Sequence, residues 1–131
     1  MPEKISGVNE ATRRASADPG AESPAAVVLV YATFPDMASA ECIAGELVQL
    51  EIAACVNLIP AMRSFYRWQG KVETADEVVG IIKTPAALAE RVIAVVRVSH
   101  PYTNPALVVL PVIAGSPAFL EWIGDETCRQ R

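Results

Sequence analysis

FYRWQGKVET, residues 65–74, decides the fold. Gln69-Gly70 is a two-residue turn, with glycine where the backbone needs a positive φ. If those two residues are the whole loop, residues equidistant from it face one another: Arg67 with Val72, Tyr66 with Glu73, Arg63 with Asp76. The last is a cross-strand ion pair worth about a few tenths of a kcal/mol on a surface. Phe65, Tyr66 and Trp68 put aromatic bulk on both faces of one strand, so something must cover the second face.

Upstream, IAACVNLI (52–59) continues the same strand, with Pro60 forcing a bend or bulge because it cannot donate to the ladder. Downstream, KVETADEVVGIIKT (71–84) returns and ends at Thr84. AVVLVYATF (26–34) is β-branched and continuous, a first strand buried on both faces. Asp36 is the expected N-cap of a helix that places Ala40, Ile43, Ala44, Leu47 and Leu50 at helical spacing, with Gly45 allowing a close approach to the sheet. Thr84-Pro85 predicts a hydroxyl cap and a first-turn proline for a second helix running to Ser99. Valine in its second half favours strand, but the length and the stop at His100-Pro101 favour helix. PALVVLPVI (105–113) is a fourth strand, and Ser116-Pro117 repeats the cap-plus-proline signature before AFLEWIG (118–124).

The order β-α-β-β-α-β-α predicts an α+β, ferredoxin-like βαββαβ sandwich with an extra C-terminal helix, both long helices on one face of an antiparallel sheet. The other face should then alternate to polar residues. Instead VVLVYA, VVGII and ALVVLPVI are apolar at both parities. Each large aliphatic side chain left in water forgoes about 1.5–3 kcal/mol of burial. A two-turn third helix covers only part of such a patch, so the expectation is a homo-oligomer.

The chain has 131 residues, 52% of them hydrophobic, enough for one domain with one core. Residues 1–24 hold few large apolar side chains and are expected to be a flexible tail; residues 25–131 form the domain. Arg13-Arg14 suggests twin-arginine export, but the polar, proline-broken segment that follows lacks the hydrophobic stretch such a signal needs. No apolar run approaches the roughly 18 residues of a membrane span. Eleven basic against fifteen acidic residues, with no basic run, give nucleic acid no electrostatic footing. Three cysteines without a C-x-x-C pair argue against a disulfide framework and for a reducing, cytoplasmic setting.

AACVNLIP, FYRWQGKVE, IIKT, HPYTNPALVVLPV and FLEWI, in this order and spacing between Val28 and Ile123, resemble the CutA divalent-ion tolerance family. The resemblance implies a ferredoxin-like fold assembled as a compact trimer, sheets inward and long hairpins reaching to neighbours. It also implies a role in tolerance of copper and other divalent metals, and a likeness in assembly to PII signalling proteins. Eukaryotic relatives are linked to acetylcholinesterase anchoring. Residues 1–24 are not part of the shared pattern.

Cys55, in AACVN, matches the family cysteine suggested as a copper ligand, and a thiolate is a soft donor suited to Cu(I). The plainer reading is a small buried strand residue. His100, the only histidine, is either a metal ligand or a helix C-terminal residue favourable to the dipole. Tyr102 beside it is expected to anchor its loop through a buried hydroxyl. Glu73, Asp76 and Glu77 offer oxygens to a hard cation, or form a solvated strand paired with Arg63 and Arg67. Cys42 is expected to pack within its helix, and Cys128 to be a reactive surface thiol. Asn57, Trp68, Lys71, Lys83 and Tyr102, with Glu73, would line a cleft between subunits where a small anionic ligand meets lysine. Nothing resembles a phosphate loop or a nucleophile elbow, so neither an organic cofactor nor catalysis is expected.

Overall fold

The structure, a computed structural model, describes residues 26–127. The expectations for residues 1–24 and for Cys128 lie outside them. The elements are β1 (Val27–Phe34), α1 (Met37–Gln49), β2 (Cys55–Trp68), β3 (Lys71–Pro85), a 3-10 turn (Ala86–Leu88), α2 (Ala89–Ser99), β4 (Leu107–Pro111) and α3 (Pro117–Asp125). The four strands form one antiparallel sheet in the order β2-β3-β1-β4. This is the predicted α+β sandwich with its additional helix.

Period-two alternation along β1 and β3 divides the sheet into two faces. Val30, Ala32, Phe34, Val78 and Ile82 point at Ala40, Ile43 and Leu47 of α1 and at Val92 and Val96 of α2, closing the core. Asp36 caps α1 as expected, its Oδ1 accepting from the Ser39 N–H at 2.8 Å. That bond, then the Ser39 hydroxyl, holds the Asp36 carboxyl below its ordinary value. Two expectations for α1 fail. Leu50 is 38% exposed because the helix ends there, and Gly45 meets nothing within 4 Å, so it serves no close approach. The close approach belongs to Gly80 in β3, where an added Cβ would lie 2.8 Å from Phe34 Cε2.

Thr84 does not cap a helix. β3 continues through Pro85, and the Thr84 hydroxyl donates to the Ile52 carbonyl at 2.7 Å, a tertiary bond that outcompetes the local cap. The helix proper begins at Ala89, after the 3-10 turn, and its valine-rich half is helical to Ser99 because Val92 and Val96 are fully buried. Ser116 precedes α3 without a side-chain cap; its carbonyl accepts from the Phe119 and Leu120 N–H groups instead. β4 is shorter than its apolar run, Leu107 to Pro111.

The hairpin follows the turn-centred register: Arg67 faces Val72, Tyr66 faces Glu73, and Arg63 Nη1 reaches Asp76 Oδ1 at 2.8 Å. Gln69 as well as Gly70 takes a positive φ, so both central residues adopt the left-handed geometry that matches strand twist. The interruption at Pro60 is a bulge. Ile59 pairs with Val79 and Met62 with Glu77, leaving Pro60 and Ala61 against Val78, with Ala61 at φ 67°.

Candidate functional site

The open face of the sheet is the side away from α1 and α2. Leu29 and Tyr31 of β1, Ile81 and Lys83 of β3, Val108 and Leu110 of β4, and Cys55, Asn57 and Ile59 of β2 share it by register. Helix α3 crosses one end, where Lys83 Nζ sits 5.4 Å from the centre of the Phe119 ring and Phe119 stacks on Trp122. Ile123 is the residue α3 buries. The helix reaches no further, and Ile59, Val108 and Leu110 stay 45–51% exposed. Beyond the bulge the hairpin carries Phe65 at 71%, Val72 at 66%, Trp68 at 56% and Tyr66 at 45% exposure. The residues whose second face raised the question are thus uncovered within one chain.

Cys55 lies half-buried opposite Lys83, with Asn57 Nδ2 3.8 Å from its sulfur. Cys42, expected to pack, is exposed. Its helix buries Ala40, Ile43 and Leu47, and position 42 falls on the other side.

His100 caps the C-terminus of α2 and is buried. Its Nε2 donates to the Thr33 carbonyl at 2.7 Å, its Nδ1 accepts from the Tyr102 N–H at 3.0 Å, and its ring stacks on Phe34 with centroids 5.1 Å apart. These partners fix the tautomer and occupy both nitrogens, so a metal at this imidazole would have to displace one of them.

Tyr102 anchors its loop, but through an exposed contact rather than a buried one: its hydroxyl donates to Glu77 Oε2 at 3.1 Å. Partial burial, and then that bond to a carboxylate, push the phenol above its ordinary value of 10.0. The Ser64 hydroxyl donates to the other Glu77 oxygen at 2.6 Å. The acidic trio is therefore divided. Asp76 pairs with Arg63 on one face of the hairpin, Glu77 holds two hydroxyls on the other, and Glu73 faces Tyr66 further out. Arg67 faces Val72, not an acid. Ser64 was missed by composition, yet the register contains it: with Met62 opposite Glu77, Ser64 is the diagonal neighbour on the same face.

Within one chain these groups do not converge. The row through Cys55 and Lys83 meets β1 at Leu29, and His100 binds at Thr33, roughly 13 Å further along an extended strand. Glu73 lies ten positions from Lys83 on β3, roughly 33 Å. Among the described residues, no three His, Cys, Asp or Glu side chains group to hold a metal ion. A copper site inside a single subunit does not fit these donors. Asn57 and Lys83 sit on the body, whereas Trp68 and Lys71 face one another across the hairpin tip. No helix of the described residues is long and apolar enough to cross a membrane.

Residues 28–126 match the family model described as CutA1 divalent ion tolerance protein. The chain is 38% identical over 100 residues to the chloroplastic protein CutA of Arabidopsis thaliana, a match covering 76% of this chain and 55% of that protein. It spans somewhat more than half the length of this relative. The crystal structure of CutA from Xylella fastidiosa superposes with a TM-score of 0.76 at 42% identity, covering 77% of this chain and 97% of that one. The periplasmic divalent cation tolerance protein CutA of Archaeoglobus fulgidus gives 0.75 at 37%, covering 77% and 98%. With its fold, its hairpin and nearly all its described residues matched, the chain belongs to the CutA1 divalent ion tolerance family.

Proposed function

We propose that this protein acts in the response to divalent metal ions, copper among them, as a non-catalytic homotrimer of the cytoplasm. The observation that carries the reading is the half-covered sheet: α3 shields only one end of the open face, and Ile59, Val108, Leu110 and the aromatic hairpin remain in water. Two further copies of the chain are the partners whose surfaces match, since each brings the same apolar strands and the same projecting hairpin. Light scattering coupled to size exclusion tests this, with three 14.0 kDa chains per particle expected. A 14.0 kDa particle at micromolar concentration overturns it.

Metal binding enters only between subunits. Cys55 is a free thiol on the face that assembly would bring inward, so copies from neighbouring chains supply the additional soft donors that one chain lacks. Isothermal titration of the assembled protein with Cu(I), Cu(II) and Zn(II) should show binding that Cys55→Ser weakens. Millimolar affinity, or affinity unchanged by the substitution, removes the site.

A second reading is a PII-like module holding a small anionic ligand between subunits. It is favoured by one feature: Asn57 and Lys83 on the body can meet Trp68 and Lys71 at the tip only if the tip belongs to a neighbour. A thermal-shift screen of nucleotides and carboxylates separates the two. A ligand at a hundred times its Kd should stabilise by about 2.7 kcal/mol.

A further inference from the structure

The β2–β3 ladder is weakest where the hairpin leaves the body. Two residues oppose one at Pro60-Ala61, proline supplies no N–H, and Ala61 takes a positive φ. A ladder broken there leaves the direction of the outer hairpin underdetermined by backbone bonds alone. Side chains bridge the break. Glu77 stands opposite Met62, the first pair beyond the bulge. One of its oxygens takes the Ser64 hydroxyl of outer β2 at 2.6 Å, and the other takes the Tyr102 hydroxyl of the loop after α2 at 3.1 Å. The Tyr102 N–H is held by His100 Nδ1, and His100 Nε2 is held by the Thr33 carbonyl of β1, with the imidazole stacked on Phe34 and tilted 49° against the Tyr102 ring, centroids 5.0 Å apart. An unbroken chain of contacts thus runs from the central strand to the outer hairpin: Thr33, His100, Tyr102, Glu77, Ser64. The Tyr31 hydroxyl, 3.7 Å from Met62 Sδ, adds a second strut at the same level.

We propose that the His100–Tyr102–Glu77–Ser64 chain is a brace that sets the angle of the projecting hairpin, and with it the position of the Phe65, Tyr66 and Trp68 surface. This gives the only histidine of the chain a positioning role that uses both its ring nitrogens. The brace lies inside one subunit. Its consequence for assembly, that it presents the tip to a neighbour, rests on the trimer reading above.

Hydrogen exchange on the full chain tests it, with Tyr102→Phe, Glu77→Ala and the double variant compared with wild type. Losing one arm should speed amide exchange in residues 60–78 about tenfold while β1, the helices and residues 79–85 keep their wild-type rates. The double variant should match Glu77→Ala alone, because both changes cut the same chain. Unchanged rates in residues 60–78, a rise spread evenly over the whole protein, or additive effects in the double variant each overturn the brace. Light scattering on the same samples keeps the two ideas apart. A monomeric wild type ends the trimer reading, yet the exchange comparison at the hairpin root still decides whether the brace exists.

Discussion

Val78–Pro85 and Lys71–Asp76 are one continuous strand with two environments. The inner half is buried: Val78, Ile82 and Thr84 face the helices, and Gly80 admits the edge of Phe34. The outer half pairs with β2 alone among the described strands, and Val72 is 66% exposed. The ladder to β2 serves both halves, with every residue from Lys71 to Glu77 paired in register, but Val78–Pro85 also pairs with β1 on its other edge. The inner half therefore has a second neighbour strand and, with it, side-chain burial worth about 1.5–3 kcal/mol for each large apolar group. The comparison teaches that a ladder extends a hairpin but does not justify it. A hairpin with aromatic residues on both faces needs a second surface, and the first way to sharpen the contrast is to remove one ring from the strand paired with each half: Phe34 of β1, opposite Val78, and Phe65 of β2, opposite Thr74.

Phe34→Ala should show the largest effect. The ring is 1% exposed, packed against His100 and within reach of Gly80, so its loss should cost about 3–5 kcal/mol in chemical denaturation, whatever the protein concentration. Phe65→Ala removes the same kind of ring from β2, opposite Thr74 of the outer half. Within a lone chain it should change stability by less than about 0.5 kcal/mol. Its cost, about 1.5–3 kcal/mol, should appear in association, as a melting temperature that falls with dilution more steeply than for wild type. A concentration-independent loss at Phe65 would abolish the distinction between the halves.

Gly80→Ala asks how tightly the inner half is filled. Its new methyl would meet Phe34 Cε2 at 2.8 Å and Leu58 Cδ2 at 3.6 Å, and a fully buried ring has little room to retreat. Overpacking of this kind should cost about 1–3 kcal/mol, read from the urea midpoint.

How far could these halves be told apart beforehand? The turn, the register and the bulge were legible because each depends on local chemistry: a glycine at positive φ, an equidistant pairing, a proline without an N–H. Apolar residues at both parities marked the open face. The errors arose where a distant partner overrode a local preference. Thr84 looks like a cap but bonds to Ile52, thirty-two residues away, and Gly45 looks like a close approach that Gly80 makes instead. At the candidate site, His100 and Tyr102 stood out by type. That both His100 nitrogens are spent, and that Glu77 joins two elements, depends on the crossing of β1, β3 and the loop after α2, which no spacing reveals.

Junction and pH provide a gentler probe. Because the Tyr102 phenol is raised in the folded protein, first by burial and then by Glu77, the protonated hydroxyl is the form that folding favours. Its contribution is fully present below the unfolded value near 10.0 and is lost as pH rises through the raised one. The stability difference between wild type and Tyr102→Phe, measured from about pH 8 to about pH 11, should therefore shrink at the alkaline end. A difference that stays constant would mean that the hydroxyl contributes nothing at the hairpin root.

Arg63→Ala should have the smallest effect, and its size locates the boundary between the halves. Arg63 and Asp76 meet at 2.8 Å, but their side chains are 60% and 76% exposed, and water screens such a pair to about a few tenths of a kcal/mol. The pair lies one row from Phe65 and Thr74 on the same face of the hairpin. If a neighbouring subunit covers Phe65 but stops short of this row, Arg63→Ala should be nearly silent, and the little it costs should vanish in high salt. If the neighbour extends over the row, the charges are desolvated, removal of one leaves the other buried, and the loss should exceed about 1 kcal/mol and persist in salt. A double-mutant cycle with Asp76→Ala, run above and below the concentration at which the particle dissociates, separates these outcomes and shows how much of the outer hairpin belongs to water.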